Sequence, residues 1–225
     1  MKKLLALLLV AVLTVSFTAC TGINMNSNSK DGGSGGKFEY GQDYINKHMP
    51  ESYWLVYNIT TYYEDSGSDN STWEQIKTPE GYYFSYGGGS GQLYITNGDN
   101  YDAYYKNSDD IYESAGYSVS KEDIESTMSL MMGYMTMYSA FSDTLKRDGN
   151  EKVMGKDCEK YTADYTIPFL GFSFKYSYCI DKSTGVCLKY TMELMGGGHK
   201  TGTEFECVKF ETSNIKLPEY KKPTS

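Results

Sequence analysis

Strand-forming runs fill the chain from Tyr53 to Lys106 and limit it to a fold built on an antiparallel sheet. Each run is rich in β-branched and aromatic residues, and a cluster of Gly, Pro, Asn or Asp separates it from the next. A spacing of about 8 to 12 residues between such runs is typical of a meander. The predicted strands are Tyr53–Tyr63, Ser71–Thr78, Gly81–Tyr86, Gln92–Thr96 and Asn100–Lys106, with a short edge strand over Asp110–Ala115.

A second group of strand signals lies between Val153 and Asn214. Turn sequences again separate the runs, most clearly DKSTG (Asp181–Gly185) and the three glycines Gly196–Gly198. The composition agrees, because 23 tyrosines and 23 glycines accompany only 5 prolines. The predicted strands are Cys158–Thr166, Phe172–Asp181, Val186–Leu194 and Thr201–Thr212.

Two stretches have helical periodicity instead. Gly41–Pro50 predicts a short helix, which ends there because the residue before a proline avoids helical angles. Ser120 and Asp123 resemble a capping box that starts a second helix of about 26 residues, with Lys146, Arg147 and Gly149 at its end. Gly133 weakens the middle of this helix, so two shorter helices are an alternative. Its apolar stripe is Ile124, Met128, Met131, Met135, Tyr138, Phe141 and Leu145.

The N-terminus reads as an export signal over residues 1–19. Lys2 and Lys3 precede an apolar run, Leu4–Val15, that is too short to anchor the chain in a bilayer. The sequence FTAC that follows resembles a bacterial lipobox, which predicts that the Cys20 thiol is acylated. An ordinary signal whose apolar region ends near a cysteine is the alternative.

Residues 20–36 then predict a flexible tether, because this stretch is rich in glycine, serine and asparagine and has no periodicity. Two or three acyl chains would hold the protein on a membrane without a transmembrane helix. We therefore expect a lipid-anchored protein on the extracytoplasmic side of the cell membrane. Residues 37–225 form its single folded domain, and we expect a monomer.

Charge and motifs exclude several classes of function. A net charge of −8 without a basic stripe disfavours nucleic acid as a partner. The chain has only two histidines and lacks the P-loop, HExxH, serine-elbow and Rossmann patterns, so we expect no enzyme, cofactor or metal. The glycines of Gly87–Gly91 are read as a hairpin turn.

Four cysteines remain after Cys20, an even number in an exported chain. If the three hairpins are centred on their turns, all four sulfurs lie in one row across four adjacent strands. The outer two would then be about 14 Å apart, too far to bond. This register favours disulfides between Cys158 and Cys179 and between Cys187 and Cys207. Four reduced thiols are the main alternative, and a zinc site is disfavoured because no CxxC pair is present.

The order of predicted elements, a short helix, a strand meander, a long apolar helix and four more strands, resembles the LolA/LppX-like lipoprotein-carrier superfamily, most closely in lipoproteins of Gram-positive gut anaerobes. The resemblance implies a mainly β (α+β) fold, a curved antiparallel half-barrel of about ten strands wrapped around one or two helices. The stretches that carry it are WEQIKTPEGYYF (Trp73–Phe84), LYITNGDNYDAYY (Leu93–Tyr105), VMGKDCEKYTADY (Val153–Tyr165) and IDKSTGVCLKYTMEL (Ile180–Leu194).

Together with the methionine-rich stripe, the resemblance implies a lipid or other apolar ligand in the half-barrel. Methionine side chains conform to irregular apolar shapes, so the candidate ligand residues are Met128, Met131, Met135 and Tyr138. The alternative is ordinary core packing of this helix. The protein would then be a surface interaction or structural lipoprotein that meets a protein or a glycan through its tyrosine-covered sheet.

Overall fold

A computed structural model describes residues 39–40, 42–64, 67–89, 91–125, 145–167, 171–196 and 199–221. The chain divides into two compact units, Met1–Gly36 and Lys37–Ser225, and the described residues belong to the second. The predicted signal, Cys20, the tether and the four candidate ligand residues lie outside them. Within the described ranges, no helix has the length and apolar character needed to cross a membrane.

The described residues form eleven strands in one open antiparallel sheet. The strands are β1 Tyr53–Tyr63, β2 Gly67–Thr78, β3 Gly81–Tyr86, β4 Gln92–Asn97, β5 Asn100–Lys106, β6 Tyr112–Ser120, β7 Lys146–Val153, β8 Lys156–Ile167, β9 Phe172–Asp181, β10 Cys187–Gly196 and β11 His199–Glu211. Their order is β6-β5-β4-β3-β2-β1-β11-β10-β9-β8-β7, so the first and last long strands pair in the middle. The prediction of a mainly β fold with one antiparallel sheet is confirmed.

Two helical segments accompany the sheet in this part of the chain. The first, α1, covers Gln42–His48 as predicted. The second, α2, is helical over residues 121–125 and has the predicted cap. The Asp123 amide donates to Ser120 Oγ at 3.1 Å, and the Ser120 hydroxyl donates to the Asp123 carboxylate at 2.6 Å.

The predicted end of the second helix is wrong, because Lys146, Arg147 and Gly149 lie in β7. Arg147 has its partner across the β7–β8 pair rather than at a helix terminus, because its Nη2 lies 3.3 Å from Glu159 Oε1. Gly149 has a φ of 102° where the register of the pair shifts, a conformation that glycine adopts readily. A run of charged residues around a glycine therefore encodes a bulged edge strand here.

The two faces of the sheet have different apolar clusters. On one face, successive register partners from β8 to β1 are Tyr161, Tyr178, Tyr190, Phe205 and Ile59. Alternation along each strand places Tyr57, Trp73 and Tyr82 on the same face. We call this side the aromatic face.

The opposite face of β1–β6 is covered by the end of the chain. Ile215, Leu217 and Tyr220 pack against a buried cluster of Ile76, Tyr83, Leu93, Tyr104 and Tyr112. Residues 212–221, the C-terminal strap, finish beside β6, where the Lys221 amide donates to the Tyr112 carbonyl at 2.8 Å. The strap thereby occupies backbone groups of an edge strand that would otherwise invite pairing with another chain.

Candidate ligand-binding face

Aromatic rings form a continuous ladder on the aromatic face across β9, β10 and β11. The ring centroids are 6.2 Å apart for Phe174 and Tyr176, 5.1 Å for Tyr178 and Tyr190, and 5.8 Å for Tyr190 and Phe205. The ladder follows from sequence alternation, because every second residue of β9, and of β10 from Leu188 to Leu194, is aromatic or apolar and points to this side. In β11, Phe205 lies opposite Tyr190 and continues the ladder. The result is a broad apolar surface on one side of an open sheet.

Burial keeps the tyrosine hydroxyls of this ladder neutral. Burial raises the pKa of Tyr176 to about 12, and the nearby Tyr165 adds to the shift. Burial likewise raises the pKa of Tyr190 well above its ordinary value. The aromatic face therefore has no anionic oxygen from these two side chains below strongly alkaline pH.

The end of the aromatic face near the β9–β10 turn is closed by α1. The Tyr44 hydroxyl donates to the Lys182 carbonyl at 2.8 Å, and the rings of Tyr40 and Tyr161 meet edge to face at 6.5 Å. The turn itself is rigid, because buried Asp181 accepts a hydrogen bond from Thr184 Oγ1 at 2.7 Å. The Asp181 carboxylate therefore has its hydrogen-bond partner within its own turn.

Two residues of the predicted apolar stripe lie within the described ranges, and both pack on the clusters of the aromatic face. Ile124 is buried against Tyr82 and Tyr101. Leu145 packs against the larger cluster, which includes Tyr161 and Phe174. The residues on either side of 126–144 therefore contact two different parts of this face.

Two polar side chains interrupt the apolar surface on β2. Trp73 is 4% exposed and stacks on Tyr57 with ring centroids 5.4 Å apart. Gln75 is 1% exposed, and its Nε2 donates to the Tyr53 hydroxyl at 2.7 Å. Neither the Trp73 Nε1 nor the Gln75 Oε1 has a hydrogen-bond partner among the described residues. Sequence reasoning did not identify this pair, although WEQ in a strand places Trp and Gln on one face.

A shallow groove lies at the other end of the sheet, on β4, β5 and β6. Its volume is about 240 Å³, and its walls include Gln92, Tyr94 and Lys106. Tyr105 and Tyr117 at its rim are 52% and 58% exposed. Exposed aromatic rings beside polar side chains suit a surface contact better than the enclosure of a lipid.

The structure corrects the predicted register of the four cysteines. Cys158, Cys179, Cys187 and Cys207 are buried free thiols, and they do not form one row. Cys158 lies opposite Asp181, Cys179 lies opposite Lys160, and Cys207 lies opposite Tyr57. The predicted bridges, Cys158 with Cys179 and Cys187 with Cys207, are absent from the structure.

Bulges and turn geometry explain the difference in cysteine register. The β8–β9 pairs are centred one residue later than predicted, so Cys158 lies opposite Asp181, and in the β10–β11 pair Lys189 lies opposite Glu206 rather than Phe205. The β9–β10 register also shifts between Cys187 and Lys189. An extra residue in one strand displaces every later pair, so centring on a turn does not fix the partners. Among the described residues, no group of three or more His, Cys, Asp or Glu is arranged to hold a metal ion.

No protein-family model and no curated protein matches the chain. Among solved structures, it is similar to the lipoprotein LppX of Mycobacterium tuberculosis, with 11% identity, 79% of this chain and 93% of that chain covered, and a TM-score of 0.36. It is also similar to LprF of Mycobacterium bovis, with 9% identity, 79% and 96% covered, and a TM-score of 0.35.

A third similar structure is a LolA superfamily protein of Nitrosomonas europaea, with 10% identity, 78% and 94% covered, and a TM-score of 0.26. At these identities and TM-scores the similarity carries no conclusion about the family or function of this chain.

Proposed function

We propose that the protein is a membrane-anchored extracytoplasmic lipoprotein that binds a lipid or another apolar molecule on its aromatic face. The observation that carries this proposal is the ring ladder, a wide apolar surface on one side of an open sheet. The rings of this ladder are buried, with Tyr178 0% and Tyr190 5% exposed. Burial of apolar area is favourable by about 25 cal/mol per Å², so an apolar partner on this face stabilises it.

We propose that two components together cover the aromatic face. One is a ligand, and the other is the segment that bears Met128, Met131, Met135 and Tyr138. Ile124 and Leu145, on either side of this segment, both pack on the clusters of the aromatic face. Methionine side chains adapt to ligands of different shape, which suits a site for acyl chains. The ligand would lie between these four residues and the ladder.

The anchor in this proposal is an acylated Cys20. Loss of Lys2 and Lys3 with the signal leaves a mature charge of −10, so an anionic bilayer would repel the folded domain while the acyl chains retain it. Cells expressing wild type, Cys20→Ala and the control Cys158→Ala should be fed radiolabelled palmitate. We expect label in wild type and Cys158→Ala only. Equal label in Cys20→Ala contradicts the anchor.

The ligand is tested by native mass spectrometry. Every strand pairing and the three buried clusters of the described residues lie within Lys37–Ser225, so this unit carries its own fold and can be purified without the anchor. We expect it to retain lipid from its host. Met131→Glu should abolish this retention, whereas Met154→Glu should not, because Met154 is 45% exposed at the β7–β8 turn. A wild type that carries nothing and gains no thermal stability from lipid mixtures contradicts the proposal.

A surface interaction lipoprotein is the second candidate, and the groove beside Tyr105 and Tyr117 favours it. In that case the core is filled by its own side chains, and exposed tyrosines contact a protein or a glycan. Tyr105→Ser with Tyr117→Ser would then abolish binding to cell-surface material and leave lipid content unchanged. Loss of lipid on Met131→Glu with no effect of the tyrosine pair favours the lipid-binding function.

A further inference from the structure

A donor and an acceptor on β2, two residues apart in the strand, are buried on the aromatic face without a hydrogen-bond partner among the described residues. Trp73 and Gln75 are two residues apart in one strand, so their side chains leave the same side of the sheet. The Trp73 indole N–H can only donate, and the Gln75 Oε1 can only accept. In the described part of the chain, no atom forms a hydrogen bond with either.

Such a pair is unusual in a folded protein. Most buried polar side-chain atoms have a protein or water partner, and a buried donor or acceptor without one carries the full cost of its lost hydration. Two of them together on an apolar surface indicate that a partner from outside the described residues completes them.

The surroundings of the pair define the chemistry of this partner. Gln75 lies between Leu55 and Phe84 in the register of β1, β2 and β3, and Trp73 is stacked on Tyr57. The other end of the Gln75 amide is held by the Tyr53 hydroxyl. Most of the partner must therefore be apolar.

Neither Trp73 nor Gln75 carries a charge. The nearest residue of β2 on this face that carries a charge is Lys77, and its ammonium lies over the ring of Tyr82, 5.3 Å from the centroid. A carboxylate or phosphate at the pair would meet the lone pairs of Gln75 Oε1. The polar part of the partner must therefore be neutral.

We propose that Trp73 and Gln75 recognise the hydroxyl group of a neutral amphiphile, so that the ligand of the proposed function is a hydroxyl-bearing lipid of the monoacylglycerol type. A hydroxyl oxygen accepts from the Trp73 N–H, and the hydroxyl hydrogen is donated to Gln75 Oε1. The inference rests on the proposed function and adds a class of ligand to it.

The test compares three ligands with one acyl chain and different head groups on the Lys37–Ser225 unit. They are 1-monolauroylglycerol, with hydroxyl donors, methyl laurate, with acceptors only, and laurate, with a negative charge. We expect monolauroylglycerol to bind at least about tenfold more tightly than either of the others, because a polar site rejects analogues that leave its groups unpaired. Affinities are measured by calorimetry below the aggregation limit of each ligand.

Two variants test whether Trp73 and Gln75 cause the preference for monolauroylglycerol. Trp73→Phe keeps an aromatic ring beside Tyr57 and removes the donor, and Gln75→Met keeps the length and removes the acceptor. Each should reduce the affinity for monolauroylglycerol to that for methyl laurate. The matched control is Trp54→Phe, because the Trp54 indole already donates to Glu74 Oε1 at 2.8 Å. This variant should keep the preference for monolauroylglycerol. The chain has two tryptophans, so this control also leaves Trp73 as a single fluorescent reporter of the site.

The outcomes separate the two proposals. Equal affinity of wild type for monolauroylglycerol and methyl laurate, or tighter binding of laurate, overturns the hydroxyl inference and leaves lipid binding intact. A preference that survives in both variants overturns the assignment to this pair. Absence of binding for all three ligands overturns this inference and the proposed function together. If a variant fails to fold, the wild-type comparison alone decides.

Discussion

The Tyr57 hydroxyl on β1 donates a hydrogen bond to the Cys187 carbonyl oxygen at the start of β10, 3.0 Å away, although β11 lies between these strands in the sheet. Both residues are buried, and both lie at shifts in register. A bulge interrupts the ladder and leaves backbone groups that need other partners. This bond therefore joins the two halves of the sheet at the point where the backbone ladder is irregular.

Removal of this hydroxyl should be costly. We expect Tyr57→Phe to lower the free energy of unfolding by about 1 to 3 kcal/mol, because the buried Cys187 carbonyl loses its partner. Urea denaturation of the Lys37–Ser225 unit, followed by circular dichroism, measures the change. The exposed Tyr105→Phe is the control and should change the value by less than about 0.5 kcal/mol. Equal effects of the two substitutions would show that the bond contributes nothing.

The four buried cysteines should resist alkylation in the folded protein. Burial raises the pKa of Cys158 to about 11 and that of Cys207 to about 12, so the reactive thiolate is scarce near neutral pH. Iodoacetamide at pH 8 should label none of them before denaturation and all four afterwards. Recovery of a peptide that links Cys158 to Cys179 in protein from its native compartment would contradict the free-thiol arrangement.

Stability should fall between about pH 10 and pH 12. The pKa of Tyr176 is raised from 10.0 to about 12 by burial, so the unfolded chain loses this proton at a lower pH than the folded chain. Below pH 10 both states hold the proton and stability does not depend on it. As pH rises from the unfolded pKa through the folded pKa, only the unfolded chain has lost the proton, so the free energy of unfolding falls.

Denaturation curves across this range, with tyrosinate absorbance as a second probe, measure the effect. Tyr176→Phe should make the alkaline decline shallower, whereas Tyr105→Phe should leave it unchanged. A decline of the same steepness in wild type and Tyr176→Phe would remove Tyr176 as a cause.

Glycine is required at position 81 for a steric reason. The backbone of Gly81 lies so close to β4 that a Cβ atom would collide with the carbonyl oxygen of Tyr94. We expect Gly81→Ala to destabilise the fold by about 3 kcal/mol, since backbone has to move to relieve the contact. Gly89→Ala is the control, because its Cβ would meet only the Tyr86 carbonyl at an ordinary 3.7 Å. Similar melting temperatures for the two variants would contradict the close approach.

Local sequence determined most of the elements. β1, β3, β5 and β9 have the predicted bounds, because alternating aromatic residues between turn clusters specify a half-buried strand without reference to the rest of the chain. The Ser120 cap was predictable for the same reason, since donor and acceptor are three residues apart. β7 was not, because its charged residues acquire a role only beside β8.

Tertiary structure alone decided which residues face each other. The cysteine partners depend on where each turn is centred and on a shift in register at Cys187, because a displacement by one residue changes every later pair. The pairing of the first and last long strands brings Tyr57 to Cys187, and the strap to the far edge of the sheet. Sequence could place Trp73 and Gln75 on one face of a strand. Only the packed sheet reveals that their polar atoms are buried without a partner among the described residues, because burial depends on neighbours that are distant in the chain.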